Sequence, residues 1–175
     1  MATYCIQAAM FKLPIPFVTC FTHDFWILRN LDTNRVIAQL HGLAISRETG
    51  QIVPIGYFWD HSLRAHSSVY DQGFAKQHNL QVNRFALPVH DSVTIHQDKD
   101  CEERWLKAIK AIKHINELDL DYPPGGFRFP FNVTINSNSI YHTFAAVMDL
   151  PIHKFKGFFH IGIETSVYPQ IKQFL

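Results

Sequence analysis

The sequence predicts an α+β fold in which an antiparallel sheet, beginning with an early hairpin, packs against two main helices. In the first half of the chain, β-branched and aromatic residues fill short runs between turn residues. Two later stretches repeat apolar residues at helical spacing. The 175 residues are enough for a hydrophobic core, and we find no internal repeat, low-complexity tract or linker. We therefore expect residues 1–175 to form a single domain.

Three strands are predicted in the first 43 residues. Residues 3–13 mix β-branched, aromatic and small apolar side chains and end at Pro14. Residues 17–29 and 35–43 have a similar composition, and residues 31–34 between them include the Asp and Asn side chains that stabilise turns. We therefore expect the second and third strands to form a hairpin.

The middle and the tail of the chain show weaker patterns. Residues 59–79 are polar, rich in His and Ser and without a clear period, which predicts a loop. Short apolar runs predict two more strands at 81–87 and 92–96, and a last strand at 158–163.

Two helices are predicted in the second half of the chain. The first covers residues 101–118, with Asp100 as the N-cap and acidic side chains in the first turn, where negative charge suits the helix dipole. The second covers residues 138–149 and ends before Pro151. Its apolar stripe, which we expect to pack against the early hairpin, consists of Ile140, Phe144, Val147 and Met148.

Charge and hydropathy exclude several classes of function. The 16 basic and 15 acidic side chains leave a formal net charge of +1, so nucleic-acid binding is not expected. No apolar run reaches the ~18–20 residues of a membrane helix. Residues 1–21 lack the basic start and uninterrupted apolar core of a signal peptide. We expect a protein that is cytoplasmic as synthesised, and that a dedicated secretion system is still able to deliver elsewhere.

Cysteine and histidine usage predicts neither a disulfide framework nor a metal site. The three cysteines, Cys5, Cys20 and Cys101, are scattered, and no CxxC pair occurs. Cys5 and Cys20 lie on apolar strands and are interpreted as inert buried thiols. Four possible ligands fit no standard spacing and are interpreted as solvated loop residues: Asp60, His61, His66 and Asp71. No cofactor is expected.

A polar cluster, Asn136-Ser137-Asn138-Ser139, marks the start of the second predicted helix. A helix start stabilises an anion through its unpaired N–H groups and its positive dipole end, so the backbone N–H groups of Ser137 and Asn138 are candidates for an oxyanion hole. A neutral serine at this position needs a histidine base to become a nucleophile. The same cluster also fits an ordinary N-cap, which requires no catalysis.

His23 and His41 are the candidate base and its orienting group. His23 shares one face of the second strand with Phe25 and Ile27, where a polar group needs a partner. His41 lies on the returning strand of the same hairpin, so a hydrogen bond between the two rings is expected. Asp24 points to the opposite face and is expected to make surface or turn contacts.

The polar cluster, the two histidines and a proline-rich turn occur in a recognisable order. The four motifs are His23-Asp24-Phe25-Trp26, Leu40-His41-Gly42, Tyr122-Pro123-Pro124-Gly125 and Asn136-Ser137-Asn138-Ser139. This order resembles that of circularly permuted papain-like proteins, which include relatives of the NlpC/P60 peptidases and the lecithin:retinol-acyltransferase-like enzymes. Within that group the chain is similar to uncharacterised bacterial domains with an Asn-Ser-Asn helix start. The resemblance covers residues 17–150 and implies a permuted papain-like fold.

The resemblance implies a hydrolase or acyl-transfer enzyme that acts on an amide or ester of a peptide, protein or lipid substrate. Ser137 is then the nucleophile, His23 the general base and His41 its orienting group. Asn136 and Asn138 flank the nucleophile and position it. Three aromatic residues are candidates for lining the cleft: Tyr57, Trp59 and Tyr122.

Active members of the superfamily use cysteine at the position of Ser137. Three explanations fit the sequence: a native serine nucleophile, a degenerate site that only binds, and a serine introduced in place of a cysteine. Because serine is far less acidic than cysteine, a working site needs a better base. The alternative function is a catalytically inactive papain-like binding domain of a secreted effector or toxin.

A competing site combines Cys101 with His160 in the unpermuted order of a cysteine peptidase or amidase. Cys101 begins the first predicted helix, and His160 lies in a Phe-His-Ile-Gly stretch similar to the NlpC/P60 histidine strand. Against this site, Glu102 and Glu103 follow the cysteine and oppose thiolate formation.

Overall fold

The structure, a computed structural model, describes residues 3–13, 20–53, 60–128 and 133–175. Its centre is a five-stranded antiparallel sheet with the strand order β4-β3-β2-β1-β5. The strands are β1 (Tyr4–Lys12), β2 (Thr22–Asn30), β3 (Arg35–Ser46), β4 (His61–Val69) and β5 (Asp91–His96). The helices are α1 (Gln72–Gln77), α2 (Cys101–Glu117), α3 (Ser137–Met148) and α4 (Tyr168–Ile171), with 3-10 turns at Pro124–Gly126 and Lys172–Phe174. The predicted α+β class, with an antiparallel sheet and an early hairpin, is confirmed.

The two longest helices cover one face of the sheet. Trp26 of β2 stacks on Tyr141 of α3, with ring centroids 4.8 Å apart, and its indole N–H donates to the Tyr141 carbonyl at 2.9 Å. A smaller cluster of Ala9, Phe25 and Ile27 lies on the other face. Because strand side chains alternate, the even-numbered residues of β2 face the helices and the odd-numbered residues face away.

The helix α3 matches the second predicted helix and starts one residue earlier. It follows the N-cap Asn136 and is buried along most of its length. Ile140, Phe144 and Met148 of the predicted stripe are buried, and the helix contacts both β2 and β3. The helix therefore packs on the early hairpin, as the sequence predicts.

Gly42 of β3 allows α3 to approach the sheet closely. A Cβ atom on Gly42 would lie 2.6 Å from the Cβ of Ile140 and 2.9 Å from the Cα of Ser137, which is closer than real Cβ atoms come. A residue with a side chain therefore displaces the helix start. This contact places Ser137 against the residue that follows His41 in β3.

The prediction of a loop at residues 59–79 is wrong, because this range contains β4 and α1. Leu63, Ala65 and Val69 alternate into the core, but Ser, Arg and His occupy most of the positions between them and weaken the apolar signal. Asp71 caps α1 through a hydrogen bond from the Phe74 N–H at 2.7 Å.

Two further predicted strands, at 81–87 and 158–163, are also wrong. Residues 81–87 have no strand pairing, and residues 158–163 consist mainly of turns with one bridge between Phe21 and Phe159. Gly162 has a φ of +82°, and a Cβ there would lie 2.8 Å from the Cγ of Asn136. Both constraints require glycine and a turn at this point.

The predicted α2 is present and ends within one residue of the expected position. Asp100 precedes it as its N-cap, but makes no side-chain cap hydrogen bond. Its carboxylate instead lies 2.5 Å from the His96 Nε2 and 2.6 Å from the Arg104 Nε. None of the helices in the described ranges combines the length and the hydropathy that a bilayer crossing requires.

Candidate functional site

A reciprocal cap closes the start of α3. The Asn136 Oδ1 accepts from the N–H groups of Asn138 at 2.9 Å and Ser139 at 3.4 Å, and the Ser139 hydroxyl accepts from the Asn136 N–H at 3.1 Å. This capping box satisfies N–H groups that a helix otherwise leaves unpaired. Asn136 also donates from Nδ2 to the carbonyls of Gly126 at 2.7 Å and Ile161 at 2.9 Å. The cap therefore fastens the helix to two loops.

Asn138 fastens the same helix start to β2. Its Oδ1 accepts from the backbone N–H of Asp24 at 2.9 Å, and its Nδ2 donates to the carbonyls of Thr22 at 3.3 Å and Ile161 at 3.1 Å. Asn136 and Asn138 are both buried. The two predicted positioning residues thus hold Ser137 at a fixed place between them.

Ser137 lines a pocket of about 220 Å³ at the start of α3. Tyr122, predicted to line the cleft, also lines this pocket. Burial raises the pKa of Tyr122, although the nearby Ser137 opposes the rise, so the phenol is neutral. The other two predicted cleft residues, Tyr57 and Trp59, lie outside the described residues.

His23 and His41 form the hydrogen bond that the sequence predicts. The His23 Nε2 lies 3.3 Å from the His41 Nδ1, and the His41 Nε2 lies 2.9 Å from the Gln39 Oε1. Since an amide oxygen only accepts, the His41 Nε2 carries a proton. The neutral His41 ring therefore accepts at Nδ1 from the His23 Nε2–H, which leaves the His23 Nδ1 as a lone pair able to accept a proton.

Burial keeps both rings uncharged at neutral pH. It lowers the pKa of His23 to about 4. It also lowers the pKa of His41 well below its ordinary value, with smaller contributions from the neighbouring His23 and His66. Because removal from water disfavours the imidazolium form, His23 is available as a base but is a weak one.

The Asp24 N–H donates a hydrogen bond to the Asn138 side chain. Asp24 follows His23 in the chain, and Asn138 follows Ser137, so this bond joins the neighbours of the two candidate residues. The His23 ring stacks with Phe25, with ring centroids 5.9 Å apart, on the odd-numbered face of β2. In the described ranges, the hydrogen bond of the His23 ring goes to His41 and none joins it to Ser137. Because α3 covers the even-numbered face, the His23 ring and Ser137 lie on opposite sides of the sheet, and the base–nucleophile pair stays a prediction.

The expected oxyanion hole is partly occupied by the protein itself. The Asn138 N–H donates to the Asn136 side chain at 2.9 Å. This group is not free to bind a substrate oxygen in this conformation. The capping chemistry of the Asn-Ser-Asn cluster, which the sequence also allowed, accounts for the contact.

Sequence reasoning missed a buried ion pair between Asp24 and His160. Asp24 has no exposed surface, so the expectation of surface contacts is wrong. The His160 Nδ1 lies 2.5 Å from the Asp24 Oδ2, and its Nε2 lies 3.0 Å from the Phe155 carbonyl. Both partners are acceptors, so both ring nitrogens carry protons and the ring is an imidazolium. Asp24 and Trp26 alternate onto the same face of β2, which α3 covers, and this alternation is the sequence signal that Asp24 is buried.

Charge compensation explains how His160 stays protonated. Burial alone lowers the pKa of His160, but the hydrogen bond and the negative charge of Asp24 outweigh burial and raise the pKa above its ordinary value. The pair ties the segment around residue 160 to β2, one residue from His23.

The structure does not bring Cys101 and His160 together, so the competing site is not formed. The Cys101 thiol donates to the His96 carbonyl at 3.7 Å, and burial raises its pKa. Cys101 lies next to Ile6 of β1. Asp24, which binds His160, pairs instead with Met10 of β1. Ile6 and Met10 are four residues, or about 13 Å, apart along the strand. The thiol is thus buried, neutral and without a histidine base.

Of the four residues weighed as metal ligands, two come together, because the His61 Nε2 lies 3.7 Å from the Asp60 Oδ1. The other two bind elsewhere: His66 hydrogen-bonds Asn83 at 3.1 Å, and Asp71 caps α1. In the described part of the chain, one other group, His96, Asp98 and Asp100, has ligand atoms within 4.8 Å of one another. Arg104 already neutralises Asp100 in that group.

No protein-family model matches the chain, and no curated protein or solved structure matches it either.

Proposed function

We propose that the chain is a hydrolase or acyl-transfer enzyme that acts on an amide or ester, with Ser137 as nucleophile, His23 as general base and His41 as its orienting group. The observation that carries this proposal is the buried hydrogen-bonded chain from Gln39 through His41 to His23, on a strand whose backbone is hydrogen-bonded to the helix start that holds Ser137, although the His23 ring points to the face of the sheet that α3 does not cover. Such a chain fixes the tautomer of a histidine base, as catalytic sites require.

In the proposed reaction, the His23 ring turns from the far face of the sheet towards Ser137, the Ser137 Oγ attacks the substrate carbonyl carbon, and the His23 Nδ1 takes the hydroxyl proton. The carbon–nitrogen or carbon–oxygen bond then breaks, and His23 returns the proton to the leaving amine or alcohol. Water or an acceptor hydroxyl attacks the acyl-Ser137 ester through the same base. Because the Asn138 N–H is engaged by the Asn136 side chain, the Ser137 N–H and the Tyr122 O–H are the donors that stabilise the oxyanion.

The lowered pKa of His23 limits the rate with serine. A base with a pKa of about 4 removes the proton of a hydroxyl poorly, but suffices more readily for a thiol, whose own pKa is several units lower. Ser137→Cys is therefore expected to raise turnover. This expectation agrees with the use of cysteine in the papain-like superfamily that the sequence resembles.

A second candidate function is a binding domain that does not turn over. The engaged N–H group of Asn138 favours it, because a helix start that caps itself has fewer free donors for an oxyanion. In that case the pocket binds its ligand and Ser137 remains unmodified.

Turnover of a 4-nitrophenyl ester distinguishes the two functions. If Ser137 and His23 act as one unit, His23→Ala and Ser137→Ala each remove nearly all turnover, and the double variant loses little more. The exposed His90→Ala is the control and retains full turnover. Turnover of the parent chain falls as pH decreases through about 4, where His23 becomes protonated. Absence of turnover in the parent chain would support the binding function, and equal non-zero rates in the parent and in Ser137→Ala would contradict Ser137 as the nucleophile.

A further inference from the structure

The pocket beside Ser137 has walls that select among amides and esters. In the described part of the chain, none of its lining residues carries a charged side chain. The walls are apolar and largely aromatic: Leu13, Phe21, Tyr122, Phe127, Phe159 and Ile161. Phe21 and Phe159 form a tilted pair with ring centroids 6.1 Å apart.

Apart from the Ser137 and Tyr122 hydroxyls, the polar side chains that line the pocket are already bonded within the protein. The Nδ2 groups of Asn136 and Asn138 both donate to backbone carbonyls, including that of Ile161. The Thr22 hydroxyl lies 3.1 Å from the His160 Nδ1. A charged ligand entering the pocket would lose its hydration and find no side chain of opposite charge among the lining residues, so the walls disfavour charge.

The size of the pocket limits the group that fits. An apolar cavity of about 150 Å³ holds a benzene molecule, whereas sites for drug-sized ligands measure about 300–1,000 Å³. The 220 Å³ pocket lies between these values. It therefore accommodates one aromatic ring with its linking carbon, and is too small for a long acyl chain.

Two aromatic rings of the pocket lining are also exposed to solvent. Phe159 is 64 % exposed and Phe127 is 48 % exposed. Aromatic rings bind other rings in edge-to-face or offset-stacked arrangements, which a linear alkyl chain cannot reproduce. The two exposed rings thus offer a ligand ring its first contacts.

We infer that this pocket binds a neutral aromatic side chain of a peptide substrate, next to the amide that Ser137 attacks. The inference rests on the proposed function for the chemistry, but the pocket and its selectivity do not depend on turnover. Phe127 and Phe159 are the specificity-determining residues.

Binding to the Ser137→Ala variant tests the inference without any reaction. Ligand-observed NMR would give the affinities of N-acetylphenylalaninamide, N-acetyllysinamide, the α-amide of N-acetylglutamate, and octanamide. We expect the phenylalanine probe to bind at least roughly tenfold more tightly than either charged probe, and more tightly than octanamide. Tighter binding of octanamide would instead indicate a site for an acyl chain, and equal binding of the charged probes would also overturn the inference.

A matched pair of variants locates the binding. Phe159→Asp should weaken binding of the phenylalanine probe by roughly tenfold. Phe174→Asp is the control, because Phe174 is 58 % exposed and is not among the lining residues. An equal loss in both variants, or none in Phe159→Asp, would contradict the inference. All binding measurements can be made in the Ser137→Ala background. The ranking of the probes therefore remains a valid test even if Ser137 is not a nucleophile.

Discussion

The Nδ1 of His160 lies 2.5 Å from the Oδ2 of Asp24, and both side chains are almost completely removed from solvent. Asp24 lies on β2 between His23 and Phe25, and its N–H binds Asn138 at the start of α3. His160 lies between pocket-lining residues of the tail. The pair therefore joins the pocket wall to the strand that carries the proposed base.

Replacing one partner of this pair should destabilise the fold. Asp24→Ala leaves a buried cation without its carboxylate, which costs about 3 kcal/mol of the free energy of unfolding. The control is Glu164→Ala, because Glu164 is exposed in its ion pair with Lys154, where solvent screens the interaction, and its loss should change stability far less. Urea unfolding measures both values. Equal losses in the two variants would mean that the buried pair contributes no more than a surface pair.

The stability contributed by His160 should depend on pH in a defined direction. Its pKa is raised in the folded state, so the contribution is full below the unfolded value of about 6.5 and is lost as pH rises through the folded pKa. The difference in unfolding free energy between the parent and His160→Gln is therefore expected to be constant below about pH 6.5 and to shrink as pH rises above that value. A difference that stays constant with pH would show that His160 is not an imidazolium in the folded protein.

The pKa of His23 should have the opposite effect on stability. Because burial lowers the folded pKa to about 4, the neutral ring contributes its stability above the unfolded value of about 6.5. This contribution is lost as pH falls from there towards about 4. His23→Phe should therefore lose less stability than the parent on acidification, which urea unfolding at several pH values would measure. If the parent and His23→Phe lost the same free energy of unfolding on acidification, the His23 ring would be in contact with water.

Gly42 should tolerate no side chain. Gly42→Ala places a Cβ 2.6 Å from the Cβ of Ile140, which forces α3 away from β3 and costs about 1–3 kcal/mol. Gly73→Ala is the control, because its Cβ would meet one atom, the Asp71 Oδ1 at 3.1 Å. Thermal unfolding of both variants measures the difference. A Gly42→Ala variant as stable as the parent would mean that the helix start is loosely packed.

Cys101 should be dispensable for any activity of the chain. Its thiol is buried, its pKa is raised by burial, and it contacts a backbone carbonyl of His96. Cys101→Ser is therefore expected to retain turnover within a few-fold of the parent. Complete loss of turnover in a variant with an unchanged circular dichroism spectrum would restore the Cys101–His160 site.

Local patterns were sufficient to predict the elements that have a strong apolar period. The hairpin around His23 and His41, the helix α2 and the buried face of α3 all follow from alternation or helical spacing. The strand β4 was missed because serine, arginine and histidine occupy most positions between Leu63, Ala65 and Val69. Sheet pairing with β3 outweighs the low β-propensity of those residues.

The candidate site was predictable to the extent that its contacts are local. The His41 partner of His23 follows from the hairpin, because the two residues lie on neighbouring strands. The partner of Asp24 is 136 residues away in a turn that was expected to be a strand, and no local pattern encodes such a contact.

The most direct test of the central claim is the intact mass of the chain after incubation with a fluorophosphonate, which modifies serine nucleophiles activated by a base. We expect one adduct on the parent chain, located at Ser137 by peptide mapping, and none on Ser137→Ala. His23→Ala should be modified far more slowly, because the serine then lacks its base. An unmodified parent chain, or equal rates of modification with and without His23, would contradict the assignment of Ser137 and His23 as nucleophile and base.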